Sequence, residues 1–424
     1  MTSNDTKNIK ILPIKQLIKR IGPSAIISTG IVIGPGAITT AAMIGAKYGY
    51  SLIWLLIPII FMGTTFILTI YRISMLTGLP SLHAIRKYYG GFVSGFVGFA
   101  TFLSCMFFTI GNISGTGAGF QLLFNINWKI GAIIMICVMG YCYFSRNVYS
   151  KVEKGITLCI IGMIISFYIT LIGVGGPDVK ETFYGITHWT FPAGSIAMSL
   201  GFISTNANVN TGIYGTYLGK EKKWKKEDFF NGVVLADTLM HIFLVILISG
   251  AIMLVGAIVL FPEGKIIKAP QQLAELLVPI LGNASKYIMG IALLGGAFSS
   301  LLGNTQRTVV LLNAGFDKPV GLENNIIKIE SISVILICSI ICFLYGGSPV
   351  QLIYLANVAV SISTPVAGLF LVLLIWRKDI NEGYKRPIIL QICMTISYLF
   401  ALFMTIYALK NSLPNFLKSI LELF

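Results

Sequence analysis

Apolar residues along the chain fall in long runs separated by short polar segments. The runs cover roughly 23–46, 51–77, 92–124, 128–145, 152–175, 193–218, 231–261, 273–315, 326–346, 349–376 and 387–409. A helix that crosses a bilayer needs about 20 mostly apolar residues. The pattern therefore predicts an all-α integral membrane protein with eleven transmembrane helices. The longest runs predict tilted spans or helices that project beyond the lipid. The expected organisation is a tail over 1–22, a single transmembrane domain over 23–409 and a short tail over 410–424.

Two spans carry polar or helix-breaking segments in mid-run. The first contains Gly34-Pro35-Gly36, and the sixth contains Ser204-Thr205-Asn206-Ala207-Asn208-Val209-Asn210-Thr211-Gly212. Proline removes a backbone donor and glycine loosens the backbone. In hydrocarbon such groups need partners, so unwound backbone is tolerated only inside protein or beside a wet cavity. The interruptions lie five spans apart, at matching positions of spans 1–5 and 6–10. That arrangement predicts an inverted repeat with broken helices 1 and 6 and a binding site between them. A proline kink and a polar packing seam would explain each interruption singly; their correspondence favours the site.

Composition agrees with a membrane protein. Hydrophobic residues make up 55% and charged residues 11% of the 424, against about 25% charged in soluble domains. The net charge of +15 would suggest nucleic acid in a soluble protein. Here the basic residues concentrate in alternate loops, with a roughly threefold bias that predicts a cytoplasmic N-terminus and an extracellular C-terminus. The Lys220–Asp228 run (KEKKWKKED) reads as a solvated loop of the same side, in contact at most with lipid head groups. No nucleic-acid partner is expected; the bilayer is. The tail before residue 22 lacks a small-residue cleavage site and does not read as a cleaved signal peptide. Seven cysteines lie in or beside apolar runs without metal-ligand spacing, and no cofactor is expected. Three histidines (His83, His188, His241), no clustered intramembrane carboxylates and no phosphate-binding loop exclude the common enzyme classes and an ATP-driven pump. The Ile, Lys and Asn usage suggests a bacterial host and its cytoplasmic membrane.

The order of several segments resembles the Nramp family of proton-coupled divalent-metal transporters over about residues 20–405. Gly22-Pro23 through Ser28-Thr29-Gly30, Gly34-Pro35-Gly36 and Gly45-Ala46-Lys47-Tyr48-Gly49-Tyr50-Ser51-Leu52-Ile53-Trp54 follow the family's first span and its exit. Lys151-Val152-Glu153, Ile291-Ala292-Leu293-Leu294 with Ser299-Ser300, and Asn357 to Pro365 resemble its fifth, eighth and tenth spans. The resemblance implies a leucine-transporter-like fold that works by alternating access.

The chemistry departs from the resemblance. The family's first-span Asp-Pro-Gly-Asn reads Gly34, Pro35, Gly36 and Ala37 here. Its sixth-span Met-Pro-His aligns with Asn208-Val209-Asn210, its third-span Asp and Glu with Thr109 and Asn112, and two tenth-span Gln with Asn357 and Ser363. First-row divalent ions favour imidazole, thioether or carboxylate ligands, and these positions offer none. Of the acidic residues, only Glu153, Asp237, Glu275 and Glu330 approach the apolar runs, all near span ends, and His241 is the lone candidate for a proton relay. The family's proton coupling is therefore not expected. Helix N-termini after Gly36 and Asn210 favour negative or neutral ligands. Arg307, near an end of the eighth span, adds a positive charge to the vestibule or anchors the span. Candidate substrate-binding residues are Gly34, Pro35, Gly36, Ala37, Asn206, Asn208, Asn210, Thr211, Thr109, Asn112 and Asn357. They predict an Nramp-related secondary transporter for a small inorganic anion such as bicarbonate, or a small polar solute. The alternatives are a largely hydrated divalent cation, magnesium or manganese, and a transport-inactive sensor on the same fold.

Overall fold

The computed structural model describes residues 10–18, 20, 32–144, 161–162, 164–218, 224–321 and 324–421, with side chains left undescribed at 409 and 411–421. Their regular structure is entirely helical. In chain order the principal helices are α1 (Pro35–Tyr48), α2 (Leu56–Thr77), α3 (Gly91–Phe124), α4 (Trp128–Phe144), α5 (Ile196–Asn206), α6 (Val209–Gly215), α7 (Val233–Val259), α8 (Ser285–Gly315), α9 (Asn325–Leu344), α10 (Pro349–Val360), α11 (Ser363–Trp376) and α12 (Ile388–Leu421). Every predicted apolar run contains helix. Seven stretches are long and apolar enough to cross a membrane on their own, and the shorter apolar helices Trp128–Phe144 and Ile164–Gly173 accompany them. Much of the predicted fifth span and the start of the first lie outside the described residues. The last helix continues to Leu421, past the end of its apolar run.

Small residues let the central helices approach closely, as they do where lipid supplies no hydrophobic drive between helices. Helices α3 and α8 run antiparallel: Gly98 meets Gly315 at one end, and Gly119 meets Gly290 at the other. A Cβ on Gly98 would stand 2.7 Å from the Gly315 Cα, so a side chain there would force the pair apart. Gly45 of α1 and Gly256 of α7 form a similar crossing. The periphery is apolar and exposed, as on α9 (Leu336, Ile337, Ile340, Ile341) and α12 (Ile392, Ile396, Leu399, Phe403). Such faces are liabilities in water and are the expected surface in lipid.

Both predicted interruptions are present. Helix α1 starts at Pro35 after a turn in which the Gly34 N–H donates to the Val32 carbonyl at 3.0 Å. Helix α5 ends at Asn206 and α6 begins after Asn208. A third interruption was not predicted: the tenth span is divided at Ser361-Ile362 into α10 and α11. There the backbone tightens, with Ser361 N–H bonded to Val358 O and Thr364 N–H to Ser361 O. The carbonyls of Asn357 and Val360 lose their helical donors, and the Ser204 and Ser104 hydroxyls replace them at 2.8 and 2.7 Å. Replacement donors of this kind are what unwound backbone requires in a dry interior.

Candidate ion-binding site

At the first interruption Gly34, Gly36, Ala37, Asn112 and Asn357 come together, with Val32, Phe108, Gly111 and Ser300 completing the lining. The Asn357 side-chain amide donates to the Gly36 carbonyl at 2.9 Å. Asn112 is buried, and its amide nitrogen has no partner. Ser300 and Asn112 fill the space that a side chain on residue 34 would need: a Cβ there would meet Ser300 Oγ at 2.5 Å and Asn112 Oδ1 at 2.9 Å. The Pro35 ring instead packs on Gly115, away from this lining. In this conformation the enclosed space is too tight for a water molecule.

The second interruption uses its asparagines differently from the sequence expectation. Asn208 caps α6: its oxygen accepts from Asn210 N–H at 2.7 Å, and its amide donates to the Ser204 carbonyl at 3.1 Å. Asn206 donates to the Phe202 carbonyl at 2.8 Å and accepts from the Ser249 hydroxyl of α7 at 3.0 Å. Both side chains are engaged at the break: Asn208 replaces backbone partners lost where α5 ends, and Asn206 ties the last turn of α5 to α7. Thr109 turns back to the Cys105 carbonyl of its own helix at 3.0 Å and does not line the first-break space. Asn210 and Thr211 remain. Asn210 donates to Ser104 Oγ at 3.0 Å, and its buried oxygen has no partner. Thr211 accepts from Arg307 Nη1 at 3.3 Å.

The candidate residues thus divide into two groups. Phe108 stands between them, since it lines the first group and stacks under the Arg307 guanidinium at 5.0 Å. Asn357 also joins them through its amide to Gly36 and its carbonyl to Ser204. Ser300, Phe108, Ser104 and the depth of Arg307 were not foreseen. A charge inside an apolar run is itself a signal, but serine and phenylalanine in apolar helices carry none. Asp237 lies in the second turn of α7, near its start as expected, and it is buried one turn before His241, which is also buried. Among the described residues no group of three or more His, Cys, Asp or Glu could hold a metal ion.

The profile of the natural resistance-associated macrophage protein-like family, Nramp, matches residues 25–410. The chain belongs to the Nramp family. It is 23% identical over 408 residues to the divalent metal cation transporter MntH of Caldanaerobacter subterraneus subsp. tengcongensis, covering 91% of each. Its fold is similar to that of the Eremococcus coleocola manganese transporter, H236A mutant, with a TM-score of 0.67 at 15% identity, covering 100% of this chain and 98% of that one. The nucleobase-cation-symport-1 transporter MHP1 matches at a TM-score of 0.59 and 12% identity, over 94% and 91% of the two chains. The Nramp chain described here is therefore a multi-pass membrane transporter with the expected leucine-transporter-like fold. The relatives' names support the divalent-metal alternative better than the anion reading. Neither reading gains a carboxylate, imidazole or thioether from the residues assembled at the two breaks.

Proposed function

We propose that this Nramp protein is a secondary transporter that moves a small inorganic ion by alternating access around its two broken helices. The observation that carries this reading is the Asn357 link, which couples the first break to the second through Gly36 and Ser204. Likeness over nearly the whole chain to a protein named a divalent metal cation transporter supports a divalent metal as the ion. With only backbone carbonyls, amides and hydroxyls to offer, such an ion would keep most of its water, as magnesium commonly does. The concentration of Lys and Arg in alternate loops supports a cytoplasmic N-terminus.

Manganese and magnesium uptake into proteoliposomes tests the cation reading. Saturable uptake above empty vesicles supports it; no uptake, with an Nramp relative carrying the full metal motif active in parallel, rejects it. A second reading, a small anion, is favoured by one specific observation: the buried guanidinium of Arg307 beside the second break, which forms no ion pair among the described residues.

A further inference from the structure

Arg307 lies on α8 with 1% of its surface exposed, the bulkiest fully buried side chain among the described residues. Its Nη1 group donates to the Thr211 hydroxyl at 3.3 Å, and its face lies over the Phe108 ring. The Cys105 thiol is beside it. These three partners are uncharged side chains. The ion pairs among the described residues include Arg20–Asp228, Arg86–Asp317, Lys265–Glu275 and Arg377–Asp379; none includes Arg307. Arginine keeps its proton in proteins, and a buried charge with no counter-charge carries a large desolvation penalty.

The two unsatisfied atoms are Nε and Nη2. In the planar guanidinium they form one edge, a fork of parallel N–H donors that matches two oxygens of a planar oxyanion. The third nitrogen is the one already held by Thr211. The side chain is thus fixed at one corner, while the edge that recognises oxyanions is buried without a hydrogen-bond partner of its own and has the Cys105 thiol nearby.

We propose that Arg307 and Thr211 form a binding site for a small planar oxyanion, of the bicarbonate, nitrate or short carboxylate class, in the transport core beside the second break. The site depends on the Arg307 surroundings and on the transporter reading, and not on whether a metal ion also crosses. If the anion is carried, it is the cargo; if it is held, it is a resident counter-charge for the core.

The test is the thermal unfolding midpoint of the purified full chain titrated with sodium bicarbonate, nitrate or acetate at fixed pH. Equal sodium gluconate, a carboxylate too bulky for a buried site, is the control. The expected result is a saturable rise for at least one planar anion, as ligand linkage requires. The rise is lost in Arg307→Gln and reduced in Arg307→Lys, which keeps charge but not the fork. Bicarbonate against acetate separates an inorganic anion from a small organic acid. Labelled uptake of the stabilising anion then separates cargo from counter-charge. A midpoint that does not move in wild type, or moves equally in Arg307→Gln, overturns the proposal and leaves a bridging water as the partner of Arg307. If Arg307→Gln does not fold, Thr211→Val with an unchanged titration overturns it equally. Manganese uptake is measured separately, so failure of the cation reading and failure of this site are distinct results.

Discussion

Asn357 donates from its side-chain amide to the Gly36 carbonyl at 2.9 Å, across 321 residues of sequence. Its own backbone carbonyl accepts from Ser204 at 2.8 Å. One residue of the tenth span thereby fastens both broken helices. Asn357→Ala leaves the Gly36 carbonyl with the Thr40 hydroxyl and its helical donor, and removes the direct tie between spans. We expect a stability loss of about 1–3 kcal/mol, from a lost buried hydrogen bond and a small cavity. Ion uptake per folded molecule should fall at least tenfold. Unfolding midpoint and proteoliposome flux measured on the same preparation check this; normal flux would remove Asn357 from the transport core.

Gly34 is a glycine for want of room. Its φ is an ordinary −112°, so backbone freedom does not require it, but Ser300 and Asn112 occupy the space of a side chain. Gly34→Asp, the residue type that the resemblance implies at this position, should destabilise by about 1–3 kcal/mol through overpacking. Adding Ser300→Gly should recover part of that loss. Equal stability of Gly34→Asp with and without the second change would show that the neighbourhood yields by another route.

Asn208 and Asn210 should separate in their effects. Asn208 is a helix cap, and its replacement by alanine should cost about 0.5–2 kcal/mol, with flux reduced in proportion to the folded fraction. Asn210 retains an unpartnered oxygen beside the core, and Asn210→Ala should lower flux with a smaller change in unfolding midpoint. Unfolding curves paired with initial rates for the two variants distinguish the roles; identical behaviour would deny the division.

His83 supplies a pH dependence outside the spans. Its Nδ1 is hydrogen-bonded to the Tyr217 hydroxyl at 2.9 Å, and its Nε2 lies 3.5 Å from Asp317. Burial holds the imidazole below its ordinary value; Asp317 opposes this and Arg86 adds to it. The unfolded chain therefore takes up this proton first as pH falls. The stability that His83 contributes is complete above about pH 6.5, the ordinary histidine value, and is lost as pH falls from there through the lowered folded value. The midpoint should drop between neutral and mildly acidic pH, and drop less in His83→Gln. A drop of the same size in the variant would assign the effect to other groups.

The sequence by itself determined the solvent of this protein, its helical class, its family and the two places where spans break. Those follow from local facts: apolar runs long enough for a bilayer, proline and glycine that cannot continue a helix, and amides in hydrocarbon that demand partners. It also made visible that residues 34 and 208–210 carry no carboxylate, imidazole or thioether. Only the tertiary structure decided what each polar residue does. Asn206 and Asn208 differ little from Asn210 in sequence, yet the amide groups of two of them are satisfied at both ends and the oxygen of the third is not. The division of the tenth span was likewise hidden, because Ser361 and Ile362 are not helix breakers; the freed carbonyls persist because Ser104 and Ser204, from distant spans, receive them. Arg307 could be seen as a charge in an apolar run, but that it forms no ion pair among the described residues depends on which side chains surround it. Periodicity and composition report what one stretch of chain prefers; the satisfaction of buried polar atoms depends on partners brought in from elsewhere, and these only the packed bundle supplies.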